Sequence, residues 1–305
     1  MTKAKYNITE GPLEWCLGIQ ILQDDACVQM VQTKYIGELL ERFDMVDCKT
    51  AAVPLDPGSM FTLQDSPKTP EEQAVMLEQP YCLFKSLVGS LLYCAVATRP
   101  DIAVAVSKIG HVMSNPGPTH YRRALHILRY LKNTQHMGIR FSRRPRVKNE
   151  LLAYCDADLG GCVDTGKSTS GFFLQLNGGP VSWHSKLQTN VALSTTEAEY
   201  MALTSCGCDV VFLRGLLEHM TFGQERPTVV YEDNHGCICL TKNHVLHSRT
   251  KHIRLRHHKI RELVEEKAVE IVYCRTDEMI ADVLTKLLPK QRFTLLRDKL
   301  LGYSA

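Results

Sequence analysis

The sequence lacks any continuous apolar run of the roughly 18 to 20 residues that a membrane-spanning helix requires. Its first ten residues are polar and lack the apolar core of a secretory signal peptide. We therefore expect an intracellular protein, in the cytoplasm or the nucleus, that has no membrane partner.

Cysteine patterns typical of a metal finger or a nucleophile are also missing. The twelve cysteines are scattered, and the close pairs Cys206/Cys208 and Cys237/Cys239 have neither zinc-finger spacing nor histidines at the usual interval. No cysteine stands in a strand-to-helix turn with a placed histidine, which argues against a cysteine hydrolase. We expect reduced and mostly buried thiols.

Acidic residues are missing from two long stretches, although the formal net charge of the whole chain is only +3. Residues 102–149 contain no Asp or Glu against ten Lys and Arg, and residues 242–261 contain none against seven Lys and Arg and five His. A basic run is usually a solvated surface. Two acid-free blocks in an otherwise balanced chain nevertheless favour a polyanionic partner such as nucleic acid.

The first half of the chain is a strand hairpin followed by helices. Alternating apolar residues predict a hairpin over 13–31, residues 35–43 have helical spacing, and five prolines within 53–80 predict a linker or surface loop. Three further helices are predicted at 83–97, 100–113 and 121–131. The last of them has four basic side chains around an apolar stripe, and its outer face could hold a duplex.

From residue 151 the pattern changes to short strands and then alternates with helices. Three strands are predicted at 151–157, 170–176 and 181–183, followed by a long helix that ends near residue 220. Further strands at 228–232 and 269–274 are accompanied by helices at 252–266 and 277–288. The predicted order is β-β-β-α-β-α-β-α.

Two acids in this half need an explanation. Asp156 stands at the end of the first of these strands, where a carboxylate is held rigidly and can bind a metal, although a lone acid there is more often a turn former. Ser194 and Glu197 have the form of a capping box, which leaves Glu199 unexplained on the helix face that packs on the sheet. A buried carboxylate needs a partner, and a metal shared with Asp156 would supply one.

Two more acids complete the pattern: Asp233 ends the fourth strand, and Asp282 lies in the second turn of the last predicted helix. Four carboxylates that converge on one point repel each other unless cations lie between them. With oxygen ligands alone, the natural ions are Mg²⁺ or Mn²⁺. Two such ions about 4 Å apart stabilise the attacking water and the leaving oxygen of a phosphodiester. The sequence therefore predicts hydrolysis of a nucleic-acid strand.

The order of elements and acids resembles ribonuclease H, and the surrounding residues narrow the resemblance to the RNase H domain of Ty1/copia-type retrotransposon Pol polyproteins. The matching segments are Tyr154-Cys-Asp-Ala-Asp158, Lys167-Ser-Thr-Ser-Gly171, Val191-Ala-Leu-Ser-Thr-Thr-Glu-Ala-Glu-Tyr200, Glu232-Asp-Asn234, His247-Ser-Arg-Thr-Lys-His-Ile253 and Ala281-Asp-Val-Leu-Thr-Lys286. Upstream segments look like the end of the reverse transcriptase and its connection in the same family. They are Gly11-Pro-Leu13, Leu17-Gly-Ile19, Leu87-Val-Gly-Ser-Leu-Leu-Tyr93, Thr98-Arg-Pro-Asp-Ile102 and Arg129-Tyr-Leu-Lys132.

The resemblance implies an α/β fold with a mixed, RNase H-like five-stranded sheet and flanking helices, preceded by a strand hairpin and a helical connection. We accordingly predict a reverse transcriptase remnant at 1–55, a thumb- or connection-like helical region at 56–150, an RNase H-like domain at 151–288 and a C-terminal helical tail at 289–305.

The resemblance also implies a site and a substrate. Its catalytic metal ligands would be Asp156, Glu199, Asp233 and Asp282, holding two Mg²⁺ ions, or Mn²⁺ in their place. The RNA strand of an RNA/DNA hybrid would be cut, and the rest of a Pol polyprotein would be a further partner. The candidate substrate contacts, for which capping or surface roles are the alternative, are Ser194, Asn234, Arg249 and Lys251.

The sequence departs from the family pattern at several places. The polymerase motif Tyr-x-Asp-Asp is absent, because Asp24-Asp25 follows Leu22-Gln23 in a predicted turn, so we expect no polymerase activity from this chain alone. Leu159 and Phe212 stand where the family has Trp, and His257 and Lys259 stand where it has aromatic residues. Residues 275–279 also lack the histidine that cellular RNases H carry before their last acid. A decayed or domesticated fragment that binds nucleic acid without cutting it is therefore the alternative function.

Overall fold

The computed structural model describes residues 13–144, 149–242 and 254–303, and its strands form two sheets. The first is antiparallel, with the order β1-β2-β3-β4, and the second has the order β7-β6-β5-β8-β9. The strands are β1 Trp15–Cys16, β2 Ile19–Gln23, β3 Cys27–Val31, β4 Gly138–Ser142, β5 Leu151–Asp158, β6 Thr169–Leu176, β7 Gly179–Leu187, β8 Thr228–Glu232 and β9 Val269–Tyr273. The α-helices are α1 Thr33–Arg42, α2 Pro70–Val75, α3 Phe84–Ala97, α4 Ala103–Gly110, α5 Pro118–Asn133, α6 Thr195–His219, α7 His235–Lys242, α8 Arg254–Glu265 and α9 Lys290–Leu300.

The first sheet differs from the sequence prediction in two ways. The hairpin is present, but its first predicted strand is turned back after Cys16 by Leu17 (φ 51°) and Gly18 (φ 79°). Two successive residues with positive φ form the two-residue loop that suits the twist of a hairpin. In addition, β4 was not predicted. It pairs with β3, so one sheet contains residues from either side of the boundary predicted at 55/56.

The basic residues of α5 hold the segment before residue 66 in place. Arg129 Nε donates a hydrogen bond to the Lys49 carbonyl (2.6 Å), and Lys132 Nζ donates one to the Cys48 carbonyl (2.7 Å). Arg123 forms an ion pair of 3.1 Å with Asp65. These three side chains are half-buried against this loop, so part of the basic face that was predicted to hold a duplex contacts the protein itself. Val53 and Leu55 within this loop are buried in the core.

The second sheet is the predicted five-stranded mixed sheet. β5, β6 and β7 form an antiparallel meander, and β8 and β9 extend it in parallel on the other side of β5. α6 packs on this sheet through Tyr200, Leu203 and Val210. By length and composition alone, this 25-residue helix could also cross a membrane. Its apolar face is instead covered by the sheet, and the fold is α/β as predicted.

The end of the second half was predicted incorrectly. Residues 277–288 do not form an α-helix: a single 3₁₀ turn covers Ile280–Leu284, and α9 begins after Pro289. A proline disfavours helical geometry in the residue before it, which separates the two elements. Val283 and Leu284 of the turn are buried in the same core as the upstream helices.

Two features link the two halves of the chain. The indole nitrogen of Trp183 in β7 donates a hydrogen bond to the Ala95 carbonyl of α3 (2.8 Å). One apolar cluster contains residues of α1, α3, α4, α5, β6 and α9. All twelve cysteines lie in the described residues and are free thiols, as expected, although only half of them are buried.

Candidate metal centre

Three of the four predicted acids converge at one edge of the second sheet. Asp156 lies near the end of β5, and Asp233 directly follows β8, the parallel neighbour of β5. The carboxyl ends of parallel strands lie at the same edge of a sheet, and α6 brings Glu199 to that edge. One carboxylate oxygen from each of the three residues lies within 4.8 Å of the other two. This is a group of oxygen atoms that could hold a metal ion.

The local structure at the start of α6 places Glu199. Ser194 is the N-cap, and its hydroxyl accepts a hydrogen bond from the Glu197 amide (3.2 Å). The Glu197 carboxylate accepts from the Leu193 amide (2.8 Å) rather than from that of Ser194, so the predicted capping box forms in one direction only. Glu199 is 6% exposed, and its buried Oε2 atom has no hydrogen-bond partner among the residues that the structure describes.

The electrostatics of the three acids favour a cation. Burial, together with the charges of Glu232, Asp156 and Asp233, raises the pKa of Glu199 to about 11. Burial also raises the pKa of Asp156 to about 6, although the Lys286 ammonium opposes this rise. A buried carboxylate without a counter-charge takes up a proton, whereas a bound cation stabilises its ionised form. The buried, unpartnered oxygen of Glu199 therefore fits a divalent ion that is shared with Asp156 and Asp233.

Asp282, the fourth predicted ligand, faces Asp156 across a lysine. Lys286 Nζ lies 2.7 Å from Asp282 Oδ1 and 3.1 Å from Asp156 Oδ1. The other Asp282 oxygen accepts a hydrogen bond from Arg292, and Thr285 Oγ1 donates to Asp156 Oδ2. Asp282 is thus buried beside the three-acid group, with a protein cation in the position between it and Asp156.

The turn that carries Asp282 comes close to β5 because of a glycine in the neighbouring strand β6. Gly171 in β6 pairs directly with Asp156. A Cβ atom on Gly171 would lie 2.6 Å from Thr285 Cγ2 and 2.9 Å from Leu284 Cβ. Contacts this short are not tolerated, so only glycine at this position admits the turn.

Four residues at this site were not predicted from the sequence as functional: Glu232, Thr285, Lys286 and Arg292. Glu232 is fully buried, accepts hydrogen bonds from the Asn234 amide (3.1 Å) and the Cys155 thiol (3.2 Å), and has its pKa raised to about 8 by burial. The period of two residues in a β-strand was the available signal for Glu232, because it places residues 228, 230 and 232 on one face, and the structure shows all three buried. Thr285 and Lys286 belong to a matched segment, but nothing in the spacing showed which groups they contact.

The predicted substrate contacts have local structural roles where the structure describes them. The Ser194 hydroxyl caps α6, as described above. The side-chain carbonyl of Asn234 accepts a hydrogen bond from the Cys237 amide (2.9 Å) at the start of α7. Arg249 and Lys251 lie outside the described residues.

A groove leads away from the acids toward the upstream half of the chain. This cavity of about 330 Å³ is lined by Asp158 and Lys286 of the second half of the chain, and by Lys108, His111 and residues 58–61 of the first. Lys108 and His111 come from the acid-free block 102–149. The described residues of that block that line this groove therefore include Lys108 of α4 and His111, and none of the basic residues of α5.

Comparisons with known proteins place these features in context. No protein-family model matches the chain. The chain is 39% identical over 290 residues to the retrovirus-related Pol polyprotein from transposon TNT 1-94 of Nicotiana tabacum, covering 94% of this chain and 21% of that protein. It is 34% identical over 288 residues to the retrovirus-related Pol polyprotein from transposon RE1 of Arabidopsis thaliana, covering 94% and 19%. The chain thus spans about a fifth of the length of these relatives.

Among solved structures, LC11-RNase H1 in complex with RNA/DNA hybrid is similar over 45% of this chain and 94% of that chain. The sequence identity in this comparison is 15%, and the TM-score is 0.34.

Proposed function

Because this chain belongs to the family of retrovirus-related Pol polyproteins of copia-type retrotransposons, we propose that its residues 151–288 are the RNase H domain of such a polyprotein. In this proposal it hydrolyses the RNA strand of an RNA/DNA hybrid and depends on divalent metal ions. One observation carries the proposal: Asp156, Glu199 and Asp233 bring one oxygen each within 4.8 Å of one another, and a buried oxygen of Glu199 has no hydrogen-bond partner within the described part of the chain.

The oxygen-only set of side chains supports Mg²⁺ or Mn²⁺ as the ions. Asp156, Glu199 and Asp233 would hold one ion, and Asp156 and Asp282 are the proposed ligands of a second. When bound, such ions lower the pKa of a coordinated water and stabilise the leaving oxygen of a phosphodiester. The protein contributes a rigid frame, in which Thr285 orients Asp156 and Arg292 orients Asp282 through the hydrogen bonds described above.

The groove beside the acids supports a nucleic-acid backbone as the substrate. Lys108 and His111 line it within reach of Lys286, which itself contacts two of the proposed ligands. We propose that a phosphate of the hybrid lies along these side chains while the scissile phosphate faces Asp156. Proteins distinguish RNA from DNA through the 2′-hydroxyl in the wide minor groove of an A-like duplex.

The alternative function is a fragment that binds nucleic acid without cutting it. All four acids are present, and three of them converge, which favours cleavage over binding alone. The polymerase motif is absent from the sequence, and we propose no polymerase activity for this chain. Its absence does not bear on cleavage.

Cleavage of an end-labelled RNA/DNA hybrid by the purified chain in Mg²⁺ tests the proposal. We expect cuts in the RNA strand with the wild type and none with Asp156→Asn or Glu199→Gln. Glu270→Gln is the matched control, because Glu270 is an exposed carboxylate on β9 and should leave cleavage unchanged. Binding of the hybrid without cleavage by the folded wild type would favour the alternative function, and cleavage by Asp156→Asn would refute the assigned site.

A further inference from the structure

The ammonium group of Lys286 occupies a position between two buried carboxylates. It lies 3.1 Å from Asp156 Oδ1 and 2.7 Å from Asp282 Oδ1, while both acids are nearly inaccessible to solvent. The side chain of Lys286 is 34% exposed. One end of this lysine therefore joins the proposed ligands, and its flank faces the groove.

We propose that Lys286 is a resident cation that holds the place of the second divalent ion until substrate binds. In the free chain, its ammonium compensates the charges of Asp156 and Asp282, and a single divalent ion binds among Asp156, Glu199 and Asp233. A second ion binds only after the ammonium has moved away. This inference rests on the proposed function and specifies the order in which that site is filled.

The two ends of the acidic site differ in their need for a cation. Asp282 already has two protein cations, since Lys286 contacts one of its oxygens and Arg292 the other. Glu199, in contrast, has a buried oxygen to which no residue of the described ranges donates a hydrogen bond. A first divalent ion therefore gains most at Glu199, and an ion between Asp156 and Asp282 must compete with an ammonium already in place.

The surroundings of Lys286 allow the ammonium to leave. A lysine is a point charge on a flexible four-carbon stem, and this one lines the same groove as Lys108 and His111. A phosphate in that groove would be an alternative partner for the ammonium. Arg292 stays on the other oxygen of Asp282 and keeps this carboxylate oriented toward Asp156. Substrate binding would thus open the second position without disordering its ligands.

Counting bound Mn²⁺ on the whole chain, by calorimetry and by electron paramagnetic resonance, tests this order directly and requires no turnover. Without nucleic acid, we expect one ion on the wild type and two on Lys286→Met, which keeps the length of the side chain and removes its charge. Lys108→Met is the matched control: Lys108 lines the same groove without contacting either ligand, so one ion should bind. The double variant Lys286→Met/Asp282→Asn should return to one ion, because the second position loses a ligand.

Substrate should have the same effect on the wild type as removing the ammonium. A hybrid whose RNA strand carries 2′-O-methyl groups lacks the free 2′-hydroxyls of the proposed substrate and should not be cut. It still presents phosphates to the groove and should raise the wild-type count from one ion to two. If Lys286→Met does not fold, as judged by circular dichroism, Lys286→Gln replaces it in the same count.

Three outcomes would overturn the inference. If two equivalent ions bind to the wild type without nucleic acid, the Lys286 ammonium does not compete with the second ion. If only one ion binds to folded Lys286→Met or Lys286→Gln, removal of the ammonium does not open a second binding position. In both cases the metal centre, and with it the proposed function, would stand. Absence of any bound Mn²⁺ on the wild type would remove both the inference and the proposed function.

Discussion

Asp156 lies directly opposite Gly171 in the β5–β6 ladder, and the missing side chain of Gly171 is what allows the turn with Asp282 to reach Asp156. The acidic site therefore depends on a close approach of two backbones as well as on its carboxylates. Thr285, from the same turn, completes this arrangement with a hydrogen bond to Asp156.

Gly171→Ala should displace this turn. The added methyl group would lie 2.6 Å from Thr285 Cγ2, and we expect overpacking of this kind to lower the free energy of unfolding by roughly 1 to 3 kcal/mol and to abolish cleavage. Urea denaturation and the hybrid assay measure the two effects. Gly215→Ala in α6 is the control, since a Cβ there meets no atom within 4 Å and should instead raise stability by roughly 0.5 to 1 kcal/mol. Equal effects of the two changes would show that the turn does not need the glycine.

The stability of the metal-free chain should fall as the pH rises from 6 to 9. The pKa of Glu199 is raised to about 11 in the folded chain, so the folded state binds more protons than the unfolded state across this range and loses stability as the pH increases. Mg²⁺ should remove most of this loss, because a cation stabilises the ionised carboxylate. Calorimetric melting at several pH values, in EDTA and in Mg²⁺, measures the loss of stability with pH and the effect of Mg²⁺ on it. The melting temperature of Glu199→Gln should depend less on pH and on Mg²⁺ than that of the wild type. If it depends on them as strongly as in the wild type, other groups cause the effect.

Breaking the buried Arg99–Asp101 pair should destabilise the upstream half strongly. The Arg99 guanidinium contacts both carboxylate oxygens of Asp101, at 2.9 and 2.7 Å, and neither residue is exposed. Asp101→Asn would leave a buried, unpaired charge and should lower the free energy of unfolding by roughly 3 to 5 kcal/mol, measured by urea denaturation. Asp277→Asn is the control, because its pair with Arg275 is exposed and should have no measurable effect.

The Arg99–Asp101 pair should also make the stability of the upstream half depend on pH in the acidic range. Although burial opposes ionisation, Arg99 and the Tyr130 hydroxyl hold the pKa of Asp101 below its usual range. The stability that the pair contributes should be complete above the unfolded pKa of about 4 and should decrease as the pH falls toward the folded value.

Lys108 should contribute to hybrid affinity through one phosphate. Removing a phosphate contact lowers the slope of log affinity against log salt by about one, so Lys108→Ala should bind the hybrid more weakly and with a shallower salt dependence. Fluorescence anisotropy at several salt concentrations measures the slope. Lys267→Ala is the control, because Lys267 is exposed just before β9, at the sheet edge opposite the acids. Identical slopes for the wild type and Lys108→Ala would exclude this contact.

The sequence predicted the parts of the site that depend on local pattern. Asp156 lies near the end of one apolar strand and Asp233 follows another, and the ends of neighbouring parallel strands lie side by side, so the proximity of the two acids follows from the order of elements. The contacts of Lys286 and the role of Gly171 depend on how closely one turn approaches a strand more than a hundred residues earlier in the chain, and periodicity carries no information about that distance. β4 was missed for a similar reason, because its partner strand β3 lies over a hundred residues away. The helix predicted at 277–288 had a suitable apolar pattern, but its residues instead pack as a short turn against the core.

Asp156, Glu199 and Asp233 should share one divalent ion, and anomalous scattering from a crystal soaked in Mn²⁺ would locate that ion. We predict an anomalous peak within coordination distance of one oxygen from each of the three carboxylates, and no such peak in crystals of Glu199→Gln. A well-ordered soaked crystal without a peak at this position, or with one that does not contact Glu199, would contradict the account.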